Sequence, residues 1–311
     1  MMNVPNAVRK ETIYRGMNGR TVERVYMEGG GSRIVKPWDA DSREVWVYEH
    51  VLPALPPVYP GLIERWQDDN GERPSSWIAF EDLGELRHEY KEELALEVVR
   101  LAARWHALPA SMLAGADLKG IKPAFPQLVA DLRAPALDMP RLAARTGIDP
   151  EAVRQVYERL ETETISPETV FSHGDLHVGN YAHAAGRLYI IDWEHAHLNS
   201  RYWDLYHVID LSHPLYPRTA APAWRERLLQ AYLDEAAQFG AALDRLRFRR
   251  EYNLFAMAFS LWMVRLIESD RASGGGPWTL PQLERQAAET AAVFREAYAA
   301  YMEAERQAEQ G

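Results

Sequence analysis

His173-Gly174-Asp175-Leu176-His177-Val178-Gly179-Asn180, followed by Ile190-Ile191-Asp192-Trp193-Glu194, places an acid, an amide and a second acid at three points of one short hairpin-like segment. Asn180 follows Asp175 after four intervening residues, and Asp192 comes one strand later. Residues 169–171 (Thr-Val-Phe) read as a short strand leading into the loop. Residues 187–191 are a β-branched and aromatic run after the turn Ala185-Gly186. Asp192 then stands at the C-terminal end of a buried strand. An acid in such a loop can orient an acceptor hydroxyl and take its proton. An amide oxygen together with a second carboxylate suits a hard cation such as magnesium.

The arrangement resembles that of protein kinases, which use an Asp base, an Asn on magnesium and a second metal-holding Asp in the same order. Trp193-Glu194 stands where a protein kinase has Phe-Gly, so the signature is not a protein-kinase one taken literally. At these residues the chain is more similar to the aminoglycoside phosphotransferase and choline kinase superfamily. That family writes its catalytic loop His-Gly-Asp-Leu-His-x-x-Asn and its metal segment Ile-Asp-Trp-Glu or Ile-Asp-Phe-Glu. The continuation Glu194-His195-Ala196-His197-Leu198-Asn199, then Tyr202-Trp203-Asp204-Leu205, resembles the choline-kinase branch. The resemblance is specific over residues 170–206 and looser elsewhere. It implies Asp175 as catalytic base, Asn180 and Asp192 as magnesium ligands, and Asp204 as a buried acid bracing the loop.

A chain of 311 residues can bury a sizeable core, and one two-lobed unit suits it better than many small domains. Zero cysteines exclude disulfides, thiolate metal sites and a Cys nucleophile. That fits a reducing cytoplasm. Residues 1–10 lack the apolar core of a signal peptide. The most apolar run, residues 255–267, is too short to span a bilayer and reads as a core helix. A formal charge of −10 disfavours nucleic acid, which is bound chiefly through Lys and Arg. It would suit a cationic substrate, although acidity also simply keeps a protein soluble.

Residues 1–84 read as a small antiparallel sheet with one helix. Strands are expected at 11–15, 22–28, 32–36, 62–66 and 77–80, with turns at Gly16-Met17-Asn18-Gly19 and Gly29-Gly30-Gly31. A helix over 41–52 would be capped by Asp41 or Ser42 and stopped by Pro53. Residues 85–311 read as mostly helical. Leu94, Val98, Leu101, Trp105 and Leu108 form one amphipathic stripe, and Val153, Val156, Tyr157 and Leu160 another. Long helices are expected at 224–239, 243–268 and 280–308, the last two separated by Ser273-Gly274-Gly275-Gly276-Pro277. The layout is α+β and resembles the protein-kinase-like bilobal fold. Glu81-Asp82-Leu83-Gly84 resembles the hinge, which would bring Glu81 and Leu83 to an adenine.

Lys36 ends the third strand, where a kinase-like lobe uses a Lys on the α- and β-phosphates paired with a helix Glu. Glu44 and Glu49 are both candidates for that partner. Glu44 is favoured because it matches the family's Arg-Glu-Val position. Gly16 and Gly19 could lay backbone N–H groups over phosphates, or form a plain turn. His173 is expected to brace the loop, and His177 to be a loop or substrate-side residue. Glu194 could meet a cation or support the metal shell, or serve as a structural acceptor. Trp193, Trp203, Trp224, Trp262 and Trp278 could wall a quaternary ammonium, though tryptophans in helical stripes are usually core.

Seven of the ten histidines fall between His173 and His213, which raises a two-His, one-carboxylate iron site. The helical sequence that follows does not supply the β-barrel such sites need. A Ser-His-Asp hydrolase has no Gly-x-Ser-x-Gly elbow to rest on. The sequence therefore reads as a cytoplasmic ATP- and Mg2+-dependent kinase of a small hydroxyl-bearing molecule, monomeric or homodimeric. Amino alcohols such as choline or ethanolamine, aminoglycosides and sugars are the open acceptor classes, and a positively charged acceptor is the favoured one. The rival is a non-catalytic, nucleotide-sensing or structural relative. The intact set Lys36, Asp175, Asn180 and Asp192 speaks against it.

Overall fold

The computed structural model of the protein describes residues 4, 6–16, 19–38, 43–68, 75–115, 117, 118, 120, 122–134, 139–218, 221–274 and 276–310. The chain opens with β1 (Ala7–Arg15), β2 (Thr21–Met27), β3 (Ser32–Trp38), α1 (Arg43–His50), β4 (Leu62–Asp68) and β5 (Ser75–Glu81). Helices follow: α2 (Glu92–His106), α3 (Ala110–Leu113), α4 (Phe125–Leu132), α5 (Met139–Ala144) and α6 (Pro150–Thr162). Four short strands come next, β6 (Val170–Ser172), β7 (Tyr181–Ala184), β8 (Arg187–Ile190) and β9 (His197–Asn199). The chain ends on α7 (Arg201–Ile209), α8 (Pro222–Gln238), α9 (Arg245–Ala272) and α10 (Leu280–Gln310). This is an α+β chain, with an antiparallel sheet in its N-terminal part and helices in its C-terminal part. Among the described residues no helix is long and apolar enough to cross a membrane.

Two compact units divide the residues. The first takes residues 1–88, 115–117 and 180–194. Its sheet has strand order β1-β2-β3-β5-β4 and is antiparallel throughout. Val25, Val35 and Ala79 on the three central strands are buried on one face, with Trp66 and Trp77 packed against them. Side chains alternate along a strand, so Lys36 emerges on the face opposite Val35. β7 and β8 form a hairpin whose two turn residues, Ala185 and Gly186, have φ of 49° and 78°. Two successive positive φ values make the tight turn that matches strand twist, and Gly186 removes the strain at one of them.

The outer elements of this unit differ from the sequence expectation. β1 begins at Ala7, four residues earlier than the pattern suggests, and pairs with β2 over its length. It is an exposed, charged edge strand, so no apolar alternation marks its start. The α-helix stops at His50, and Leu52–Ala54 forms a 3-10 turn. Pro53 disfavours helical backbone at the residue before it, which moves the stop upstream. The expected caps Asp41 and Ser42, like Met17, Asn18 and Gly275, lie outside the described residues.

The second unit takes residues 89–114, 118–179 and 195–311. α2 packs on α8, and α10 lies along α9. α9 starts on an Asp244 cap that accepts from the Arg247 N–H at 2.8 Å, and it is buried on all sides from Tyr252 to Leu261. α10 starts on a reciprocal Thr279/Gln282 box, with the Thr279 N–H donating to Gln282 Oε1 at 2.9 Å. α4, α5 and α7 are absent from the sequence expectation, although Phe125, Leu128 and Leu132 of α4 do form a short buried stripe. α4 and α5 are short and contain proline in their first turn, and every residue of α7 is buried. β6 and β9 pair antiparallel, with Ser172 opposite His197, and deliver the chain directly into the Gly174–Asp175 loop.

Candidate active site

Asp204 on α7 is fully buried and forms the seat of the loop. Its Oδ1 accepts from Ser172 Oγ at 2.7 Å and the Gly174 N–H at 3.0 Å. Its Oδ2 accepts from the His173 N–H at 2.8 Å, Trp105 Nε1 at 3.1 Å and His106 Nε2 at 3.2 Å. Burial works against the carboxylate, but these donors, His106 first among them, hold its pKa well below the ordinary carboxylate range. Burial lowers the pKa of His106 while Asp204 pulls it upward, and its Nε2 donates to the Asp204 carboxylate. Its Nδ1 faces the Tyr232 hydroxyl at 2.9 Å, and the carboxylate at Nε2 can only accept, so that nitrogen carries a proton. Trp105, His106 and Tyr232 are parts of this seat that the local motif does not announce.

Gly174 allows the loop to turn. Its φ is +82°, and a Cβ there would lie 2.2 Å from the His195 carbonyl oxygen. Its own carbonyl accepts from Trp203 Nε1 at 2.9 Å. Trp203 is thus a buried core residue of α7, as is Trp193 in the first unit. His173 is fully buried, and its Nδ1 accepts from the Asp175 N–H at 3.3 Å.

Asp175 is part-buried and meets two side chains of the same unit. Lys122 Nζ is 3.6 Å from Oδ1, and His177 Nε2 is 3.5 Å from Oδ2. Burial disfavours the charged form, yet the His177 hydrogen bond and the Lys122 charge keep the Asp175 pKa far below the usual range. His177 Nδ1 accepts from the Gly179 N–H at 2.9 Å, so its proton sits on Nε2, toward Asp175. The ring stacks on His213 at 4.7 Å between centroids, and Tyr216 and Trp278 border His213. Nothing in the motif singles out Lys122, which is 53 residues upstream of the acid it meets.

In the first unit a second cluster forms around Lys36. Its Nζ is 2.9 Å from Glu44 Oε2 on α1, 2.7 Å from Asp192 Oδ1 and 3.9 Å from Glu194 Oε2. Glu49 instead meets Arg65 at 3.2 Å. Burial opposes the Lys36 charge, but the three carboxylates outweigh it and raise the pKa. Burial likewise raises the Glu44 pKa, with Lys36 pulling the other way. Asp192 has a left-handed backbone, φ 65°, two residues beyond the end of β8. Asn180 opens the same hairpin, and its carbonyl accepts from the Ile191 N–H at 2.9 Å. Asn180 therefore lies across the hairpin from the residue preceding Asp192.

Oxygen ligands of Glu44, Asp192 and Glu194 come within 4.8 Å of one another. Three carboxylates around one ammonium leave an excess of negative charge, and the donors are all hard oxygens. This set fits a magnesium-class cation.

The expected nucleotide loop and hinge are simpler. The Gly16 N–H donates to Arg20 O at 2.8 Å and the Gly19 N–H to Gly16 O at 2.9 Å, so both amides are occupied within the turn. Glu81 Oε2 accepts from the Gly61 N–H at 3.2 Å, and Leu83 is part-buried in the following segment. Asp82 braces that segment, accepting from Arg24 Nε at 2.6 Å, Ser32 Oγ at 2.6 Å and the Gly84 N–H at 2.9 Å.

The histidines around Asp175 predict a pH dependence of folding. Burial lowers both His207 and His213 to about 4, with Asp175 pulling each upward. In the unfolded chain they would titrate near ~6.5. The folded state therefore binds fewer protons, and stability that is full above ~6.5 is lost as pH falls toward 4. Each histidine adds a slope of up to about 1.4 kcal/mol per pH unit in that window. The urea midpoint should fall from pH 7.5 to pH 5, and less steeply in His213→Gln. A midpoint flat over that range would contradict the buried, neutral state of both rings.

Comparison with known proteins places the chain. The sequence profile described as the phosphotransferase enzyme family matches residues 42–249. No curated protein sequence matches. Among solved structures, a spectinomycin phosphotransferase with ADP and spectinomycin superposes with TM-score 0.56 at 13% identity, covering 96% of this chain and 94% of that one. An amicoumacin kinase with AMP-PNP and Ca2+ gives TM-score 0.55 at 14% identity, covering 96% and 89%. A choline/ethanolamine kinase family protein from Mesorhizobium loti gives 0.57 at 15% identity, covering 96% and 94%. At these identities the likeness is one of fold.

Proposed function

The chain belongs to the phosphotransferase enzyme family, and from that membership we propose that it is a cytoplasmic kinase moving the γ-phosphate of ATP to a hydroxyl of a small molecule. The observation that carries this reading is the meeting of Lys36, Glu44 and Asp192 from three separate elements of one unit. ADP and AMP-PNP in the structures of similar fold support a nucleotide as donor.

In this reading Lys36 counters the charge of the nucleotide phosphates, and Glu44 holds the ammonium in place. Asp192, with Asn180 beside it, would hold magnesium, and Glu194 would complete the acidic set. When bound, the metal supplies charge neutralisation at the phosphates. Asp175 orients the acceptor hydroxyl. As the oxygen–phosphorus bond forms and the bond to ADP breaks, the hydroxyl proton passes to Asp175. A strongly acidic Asp175 suits a loose transition state, where orientation matters more than early proton removal. Backbone of the segment from Glu81 to Leu83 would meet the adenine.

The acceptor is an amino alcohol, an aminoglycoside or a sugar. Two supports for a cationic acceptor are weak in the folded chain: Trp193 and Trp203 are core residues, and Glu194 sits beside Lys36. The test is ATP consumption by purified protein against a panel of choline, ethanolamine, aminoglycosides, neutral sugars and sugar acids. Absence of acceptor-stimulated turnover across such panels would count against the kinase reading.

Asp192→Ala should abolish magnesium-dependent nucleotide binding, because it removes a carboxylate a hard cation prefers and leaves Lys36 to Glu44 and Glu194. Calorimetric titration with MgATP checks this, and unchanged affinity would contradict the assignment. Asn180→Ala should be milder, since water can replace one neutral ligand.

A further inference from the structure

We propose that Lys122 is a positioning residue for Asp175 and selects against acceptors carrying positive charge next to the reacting hydroxyl. This rests on the reading of Asp175 as the base. The two oxygens of Asp175 have separate neighbours, Lys122 at Oδ1 and His177 at Oδ2. A carboxylate held from both sides has one fixed plane. Lys122, His177, His207 and His213 all act on its carboxylate, and His173 holds its backbone N–H. With His207 and His213 neutral, Lys122 is a standing cation at neutral pH.

Lys122 is not a loose surface lysine that happens to be near. Its segment is tied to β9, the strand paired with the one that leads into the catalytic loop. The Leu198 N–H donates to Leu118 O at 2.9 Å, and Asn199 Nδ2 reaches Pro123 O at 3.5 Å. Between these ties Gly120 lies flat on His197, where a Cβ would come within 2.3 Å of the ring. That ring is itself fixed, by His195 O at 2.7 Å and Asn199 Nδ2 at 3.0 Å. Both ends of the segment are anchored to the strand pair that delivers Asp175. The Lys122 side chain keeps 28% of its surface exposed.

The chemistry follows from charge. Lys122 balances Asp175, so an ammonium brought to the reacting hydroxyl meets a cation at about the same distance as the anion and gains little. A neutral polyol, or one with its charge remote from the hydroxyl, suffers no such repulsion. The phosphoryl group in transit, being anionic, is favoured by the same ammonium.

The test uses the full chain and the variants Lys122→Met and Lys122→Arg, with melting temperature confirming folding. The carbon-13 carboxyl chemical shift at pH ~7.5, with Asp175→Asn giving the assignment, reads the clamp without any substrate. The Asp175 resonance should move in Lys122→Met and stay near its wild-type position in Lys122→Arg. An unmoved resonance in folded Lys122→Met overturns the positioning role. In turnover, kcat/KM for ethanolamine relative to a neutral sugar should rise about tenfold in Lys122→Met. An unchanged ratio overturns the selectivity. If wild-type protein turns over no acceptor, the kinase reading and its selectivity fall together, while the carboxyl resonance still decides the clamp.

Discussion

Asp204→Ala should lower the stability of the protein by about 3 kcal/mol or more, the largest loss expected from a single polar substitution here. Five donors converge on this one buried carboxylate: Ser172 Oγ, the His173 and Gly174 N–H groups, Trp105 Nε1 and His106 Nε2. All five lose this shared acceptor in a site closed to solvent, although the Gly174 N–H keeps Ser172 Oγ at 3.1 Å, and a buried donor left unpaired costs about 1–3 kcal/mol before relaxation. The melting temperature should fall by roughly 5 °C or more for a chain of this size. Asp204→Asn should be milder. It keeps one acceptor oxygen, but its amide group is turned toward donors. Activity should fall with stability in both variants, and return in part at low temperature. A wild-type melting temperature combined with lost turnover would make Asp204 a participant in the chemistry instead of its support.

The network at Asp204 also shows what a sequence can and cannot disclose. Residues 170–206 hold the loop, the hairpin and the buried acid within one short span, so local pattern and spacing bring them out. Lys36 and Glu44 were legible for a similar reason, since a strand and the next helix place them within a few residues of an expected geometry. The partners of Asp204 are different: Trp105 lies 99 residues away and His106 98. They sit at the end of an amphipathic helix, where a Trp and a His read as ordinary core. Lys122 and the Asp82–Arg24 pair were invisible on the same grounds, each depending on a long-range pairing that no local period encodes. α7 escaped because it is buried on every side, and periodicity only marks helices that have an outside.

Asp175→Asn should leave the melting temperature and MgATP affinity close to wild type and reduce acceptor phosphorylation on the order of a hundredfold or more. The substitution preserves the shape of the side chain and removes the charge that Lys122 and His177 face. The loop itself does not depend on that charge, because its seat is Asp204 and its turn is set by Gly174. Loss should therefore appear in kcat with little change in the KM for nucleotide, the pattern of a group acting in the transition state. The part-buried, low-pKa carboxylate adds a second readout. Since Asp175 stays ionised through the acid range, its own titration should not produce an acid limb in kcat between pH 5 and 8. Wild-type turnover by the folded Asp175→Asn variant would remove Asp175 from the role of base. An acid limb that vanished with His177→Gln would instead assign the essential proton to the imidazole beside it.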